Sequence, residues 1–262
     1  MDIKKASKLG ANDNVAYLIT SNKDLSSKDF SAAEIDCIKK EIKAEQKQIT
    51  LNRLTNMVYV VVLTTDTDYK AEEKARIAGH NLTTAVNQAK IKSLSIVSDL
   101  AVTLSFIEGV ALTNYQFLKY FSDKKINTLT ELNVLGKIET AELVELQNTV
   151  DATNYAKDLV NEPQSFLTAT QISEEIKTLG KEAGFTVEVF NKEKIESLEM
   201  GGLLAVNKGS IEPPTFSILE WKPKNAKNKK PIVLVGKGVV YDTGGLSLKP
   251  TAKSMDFMKC DM

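Results

Sequence analysis

The stretch Ile232-Val-Leu-Val-Gly236-Lys237-Gly-Val-Val-Tyr-Asp242-Thr-Gly-Gly-Leu-Ser-Leu-Lys249 decides how this sequence is interpreted, and Met255-Asp-Phe-Met258-Lys-Cys-Asp261-Met262 follows it. The stretch opens with four apolar, mostly β-branched residues, which predict a buried strand. Two lysines and an aspartate then follow in a glycine-rich loop. Charges of both signs beside a buried strand are costly unless they pair with each other or with a metal ion.

A two-metal site is the chemical hypothesis that this pattern suggests. Asp242 and Asp261 are hard oxygen ligands suited to zinc, manganese or magnesium, and one carboxylate can bridge two ions about 3.5–4 Å apart. Lys237 can ligate only as a neutral amine, a form that a nearby dication favours. Lys249 would stay protonated and stabilise an oxyanion.

Two plainer interpretations compete with this hypothesis. Residue types alone favour a strand, a glycine-rich turn and ordinary Lys–Asp ion pairs. A phosphate-binding loop is rejected, because that motif needs Gly where this chain has Pro231 and Ser or Thr where it has Gly238.

The stretch resembles the active-site segment of the leucine aminopeptidase family, the cytosolic two-metal exopeptidases. That segment runs V-G-K-G-x-x-F/Y-D-S/T-G-G-L/I-S-L/I-K and then M-D-x-M-K/R-x-D-M. Every fixed position is present here, from Val235 to Lys249 and from Met255 to Met262. An upstream helix that ends at an Asn-x-Pro, here Asn161-Glu-Pro163, and the G-x-L-A-V run near residue 202 extend the resemblance.

What the resemblance implies is specific. Lys237, Asp242 and Asp261 would hold two divalent ions, zinc or manganese, with Asp242 bridging them. Lys249 would be catalytic, and Met258 would line the pocket for the first side chain of a peptide substrate. The family also implies a homohexamer.

The sequence departs from the family in one respect. Family members complete the site with a later N-T-D-A-E-G-R segment, which this sequence does not contain. Three of five expected side-chain ligands are therefore present. We expect the chain to be the front portion of an aminopeptidase, cut inside its catalytic domain and inactive alone.

The composition of the chain argues against several other classes of function. With 34 basic and 34 acidic side chains the formal net charge is zero, which argues against a nucleic-acid partner. Two distant cysteines, no apolar leader and no membrane-length run predict a cytoplasmic protein that does not contact a membrane. The one histidine, His80, is expected to be exposed and structural, which disfavours histidine-based zinc or triad chemistry.

The pattern of elements predicts an α/β protein with two domains. Residues 1–137 alternate strands and helices and are expected to form a small α/β domain with a parallel or mixed sheet flanked by helices. Residues 138–262 are expected to be a linker helix and the first part of an α/β/α sandwich. Predicted strands and helices, in chain order, are Val15–Thr20, helix 30–49, Met57–Leu63, helix 69–90, Ser93–Val97, helix 100–121, helix 138–160, helix 168–183, Phe185–Phe190, helix 192–198, Phe216–Trp221 and Pro231–Val235, with a strand and glycine turn as the plain interpretation of Met200–Val206.

Two rival functions remain open. The chain can be a non-catalytic binding or assembly module that shares the aminopeptidase scaffold. It can also bind nucleic acid, as some members of the family do, although its neutral charge argues against that role.

Overall fold

The computed structural model describes residues 1–249. The chain divides into two compact units, Met1–Asn154 and Tyr155–Met262, so the division falls inside one helix. The boundary expected near residue 137 stays a prediction. Within residues 1–249, no helix combines the length and apolar character that a bilayer span requires.

The first unit is an α/β layer structure built on a six-stranded sheet. Its strands are β1 (Asp2–Lys5), β2 (Val15–Ile19), β3 (Gln48–Asn52), β4 (Met57–Val62), β5 (Ser93–Val97) and β6 (Glu131–Leu135). Its helices are α1 (Ala32–Lys43), α2 (Tyr69–Gln88), α3 (Thr103–Thr113) and the start of α4 (Thr140–Asn161), and a 3-10 turn spans Asn22–Ser27. The strands lie in the order β1-β6-β5-β2-β4-β3, and all neighbours are parallel except the antiparallel pair β3 and β4. This confirms the predicted mixed sheet.

Alternating side chains of the central strands fill a core on each face of the sheet. On one face Ala16, Leu18, Tyr59 and Val61 pack with the apolar sides of α2, α3 and α4. On the other face Val15, Tyr17, Ile19, Val58 and Val60 pack with α1 and the 3-10 turn. A strand covered on both faces is apolar at every position, and this explains why the runs in β2 and β4 were recognisable from sequence.

Helices α2 and α3 approach each other so closely that only glycine fits at the crossing. A Cβ on Gly109 would lie 2.1 Å from the carbonyl oxygen of Arg76, and one on Gly79 would lie 2.3 Å from that of Phe106. The guanidinium of Arg76 also donates to Glu108 at 2.7 Å beside this contact. The crossing therefore positions both helices against the sheet.

Several predictions for the first unit were wrong. The helix expected over 30–49 ends at Lys43, and the chain then forms β3; the helix expected over 100–121 covers only Thr103–Thr113. Strands β1 and β6 were not predicted. Both contain polar residues, and they are paired with each other, with Asp2 opposite Glu131. A pairing between such distant segments leaves no local signal in the sequence.

The second unit contains α5 (Ala169–Ala183), β7 (Thr186–Phe190), α6 (Lys192–Ser197), α7 (Gly201–Asn207) and β8 (Phe216–Glu220). Thr168 caps α5 by accepting from the backbone N–H of Gln171 at 3.2 Å, and Gly184 ends the helix in the left-handed region with φ +79°. Both features agree with the helix that the sequence predicts over residues 168–183. Strands β7 and β8 pair antiparallel. The strand expected within Met200–Val206 is instead helix α7.

Candidate functional site

The segment that follows β8 does not form the predicted strand. Residues 231–235 have no regular secondary structure, and Ile232, Val233, Leu234 and Val235 are 83, 74, 91 and 94% exposed. The prediction of a buried strand here was wrong. A strand requires a hydrogen-bonded neighbour; β8 pairs with β7 on one edge, and within residues 1–249 no strand pairs with its other edge.

The loop after this segment brings two of the predicted site residues into direct contact. The ammonium of Lys249 donates to Oδ2 of Asp242 at 2.8 Å and to the carbonyl oxygen of the same residue at 3.1 Å. The backbone N–H of Gly244 donates to the other carboxylate oxygen, Oδ1, at 2.7 Å. Asp242 is thus held through both carboxylate oxygens and its main chain.

Glycine makes this loop possible. Gly244 and Gly245 have φ values of +90° and +68°, in the left-handed region that side chains with a Cβ avoid. A Cβ on Gly244 would lie 2.4 Å from the carbonyl oxygen of Ser247. The turn returns the chain so that the N–H of Lys249 donates to the carbonyl oxygen of Thr243 at 2.9 Å. The six residues between the aspartate and the lysine therefore form a closed loop.

The electrostatics of the loop favour the ionised carboxylate. The hydrogen bond from Lys249 lowers the pKa of Asp242, the Gly244 N–H lowers it further, and the charge of Lys237 acts in the same direction. Lys237 is itself exposed. The charges of the predicted catalytic Lys249 and of the predicted ligand Lys237 therefore both stabilise the ionised form of the predicted ligand Asp242.

Of the side chains predicted to hold metal ions, Lys237 and Asp242 lie among the described residues. Asp242 supplies an ionised carboxylate and Lys237 an amine, which are the donors that the sequence pattern requires from this segment. Among the described residues no group of three His, Cys, Asp or Glu side chains is arranged to hold a metal ion. Asp261 and Met258 lie outside the described residues, so their predicted roles stay predictions.

The main hypothesis from the sequence did not include the contact between Asp242 and Lys249. It assigned Lys249 to the substrate and Asp242 to the metals, and ordinary Lys–Asp ion pairs were the plainer alternative; the structure contains such a pair. The available signal was the pair of glycines between them, which permits a reversal of the chain. His80 is exposed on α2, as predicted, and its Nδ1 lies 3.2 Å from the hydroxyl of Thr113.

Comparisons with known proteins relate this chain to cytosol aminopeptidases. Residues 154–262 match the sequence profile described as "Cytosol aminopeptidase family, catalytic domain". A probable cytosol aminopeptidase of Chlorobium limicola is 43% identical over 178 residues, which are 62% of this chain and 35% of that protein. One of Aquifex aeolicus is 34% identical over 247 residues, which are 92% of this chain and 50% of that protein.

A solved structure extends the similarity to the fold. The bottromycin maturation enzyme BotP in complex with Mn aligns with 92% of this chain and 51% of its own, with a TM-score of 0.70 and 26% identity. The chain therefore spans about half or less of the length of the proteins it matches.

Proposed function

Because this chain belongs to the cytosol aminopeptidase family, we propose that it carries the front part of a metal-dependent, leucyl-type aminopeptidase that releases N-terminal residues from peptides. The observation that supports this most directly is the match of residues 154–262 to the family's catalytic-domain profile, because those residues include the motif in which Asp242 and Lys249 contact each other. The BotP complex with Mn shows that a structural relative binds a divalent ion.

We assign the roles of the side chains as follows. Lys237, Asp242 and Asp261 would hold two divalent ions, zinc or manganese, with Asp242 shared between them. Ions bound there would polarise the scissile carbonyl and lower the pKa of a bound water. Lys249 would present its ammonium to the oxygen on which negative charge develops, and Met258 would contact the first side chain of the substrate.

The remaining proposals concern the whole protein. Like the relatives named cytosol aminopeptidases, it would act in the cytoplasm, and it would assemble as a homohexamer. Residues 1–262 alone would turn over little or no substrate, because the sequence has no N-T-D-A-E-G-R segment to supply the other two carboxylates and the catalytic arginine.

A chimera tests the proposal. Residues 1–262 would be joined to the remainder of the Aquifex aeolicus relative, which aligns with 92% of this chain, and leucine p-nitroanilide hydrolysis would be measured with Mn²⁺ or Zn²⁺. We expect hydrolysis by the chimera and background rates from residues 1–262. In the chimera, Lys249→Ala should lower kcat by roughly 10²–10³ while the metal is still bound, and Asp242→Ala should lose bound metal.

The rival is the non-catalytic binding or assembly module. A chimera that folds and assembles but neither binds metal nor hydrolyses substrate would establish the rival. Unchanged kcat in the Lys249→Ala chimera would remove that lysine from the mechanism.

A further inference from the structure

The carboxylate of Asp242 already has a cationic partner in the structure. Lys249 Nζ lies 2.8 Å from Oδ2, and the Gly244 N–H occupies Oδ1 at 2.7 Å. Both oxygens that would ligate a metal ion are therefore engaged by hydrogen-bond donors of the same loop. An ammonium has three donors and no lone pair, so the charged Lys249 cannot ligate a metal ion itself and would share the Asp242 carboxylate with any ion that binds there.

We propose that Lys249 is an intramolecular competitor of the metal: a divalent ion that ligates Asp242 competes with the Lys249 ammonium for Oδ2 and binds more tightly when that ammonium is displaced. This inference rests on the proposed function, since it takes Asp242 as a metal ligand. Like charges a few ångströms apart repel strongly at a partly dehydrated site. The Asp242 carboxylate is 44% exposed and the Lys249 side chain 29% exposed, so water does not fully screen them.

The loop allows this displacement without unfolding. The N–H of Lys249 stays bonded to the carbonyl oxygen of Thr243 at 2.9 Å, and that bond does not depend on where the ammonium points. Rotation about side-chain bonds is therefore sufficient to move Nζ away from Asp242. The same backbone would then present the released ammonium to the substrate, so metal loading and the availability of the catalytic lysine are coupled.

Affinity for Mn²⁺ tests the competition directly. Mn²⁺ would be titrated into residues 1–262 and free ion followed by electron paramagnetic resonance, in a concentration range that reaches millimolar. We expect Lys249→Met to bind Mn²⁺ about tenfold more tightly than the wild type, and Asp242→Asn to lose binding. Lys230→Met is the matched control, because it removes the same charge from an exposed position of the same segment and should leave the affinity unchanged.

The rate of lysine acetylation, measured by mass spectrometry, is a second test that does not require catalytic activity. Lys249 should react faster when Mn²⁺ is added to the wild type, and faster in Asp242→Asn without any metal, relative to Lys230 in the same sample. Both changes support the competition.

Three results would overturn it. Wild-type affinity in Lys249→Met, or an equal gain in Lys230→Met, refutes the competition while leaving the metal site intact. Lys249 reactivity that is the same in Asp242→Asn as in the wild type refutes the ion pair itself. Failure of every variant to bind Mn²⁺, in residues 1–262 and in the chimera alike, refutes the metal site of the proposed function, and the competition with it.

Discussion

The ion pair between Glu34 and Arg53 gives the sharpest stability prediction. Glu34 Oε1 accepts from Arg53 Nε at 2.6 Å and Oε2 accepts from Nη2 at 3.0 Å, while Oε2 also accepts from the N–H of Ser31 at 2.8 Å. Glu34 thus completes the capping box at the start of α1 and ties that helix to the turn between β3 and β4. The side chains are only 21 and 25% exposed.

The magnitude follows from the pKa of Glu34. The Arg53 hydrogen bond, together with hydrogen bonds from Ser31 and the charge of Arg53, lowers this pKa from 4.5 to about 2, which corresponds to at most about 3 kcal/mol of stabilisation at neutral pH. Solvent screening reduces that to about 1–2 kcal/mol. Because the folded-state pKa is depressed, the contribution is complete above pH 4.5 and is lost as the pH falls towards 2.

Glu34→Gln tests this reasoning. Urea unfolding followed by circular dichroism should show a loss of about 1–2 kcal/mol at pH 7, and the difference from the wild type should shrink between pH 4.5 and 2. Hydrogen exchange of α1 and β3 would assign the loss to the first unit. Asp36→Asn removes a carboxylate from the same helix that makes no ion pair among residues 1–249, and it should change little. An equal loss in both variants, or a difference that does not depend on pH, would refute the assignment.

Two glycine substitutions give further predictions. Gly109→Ala places a Cβ 2.1 Å from the Arg76 carbonyl oxygen and should destabilise the first unit by about 2 kcal/mol or more in urea unfolding. In Gly202→Ala, in α7, the added Cβ meets nothing within 4 Å, so this variant should be stabilised by about 0.5–1 kcal/mol. Similar effects in the two variants would contradict the close crossing of α2 and α3. Gly244→Ala should open the loop between Asp242 and Lys249, because it strains a φ of +90°. Acetylation of Lys249 should then accelerate, and an unchanged rate would show that the turn tolerates a Cβ.

How much could be predicted from the sequence depended on whether the signal was local. The apolar runs of β2, β4 and β5 and the helix over 168–183 were predicted because their signals lie within a few residues: β-branched runs in the strands, and Thr168 and Gly184 at the two ends of the helix. Strands β1 and β6 were missed because polar, five-residue or shorter strands depend on partners far along the chain. Helix α7 was missed because two glycines suggested a turn, although a short helix tolerates them.

In the candidate site, too, the contact that is encoded locally is formed and the strand that depends on distant partners is not. The contact between Asp242 and Lys249 is made within eight consecutive residues, so glycine geometry and one ion pair are sufficient to form it. The apolar run Ile232–Val235 carries an equally clear local signal, yet it is exposed, because a β-strand is completed by its neighbours and not by its own residues. It follows that the contact between Asp242 and Lys249 does not require burial of this run. A metal titration on residues 1–262 can therefore report on Asp242 and Lys249 even though the preceding strand is not formed.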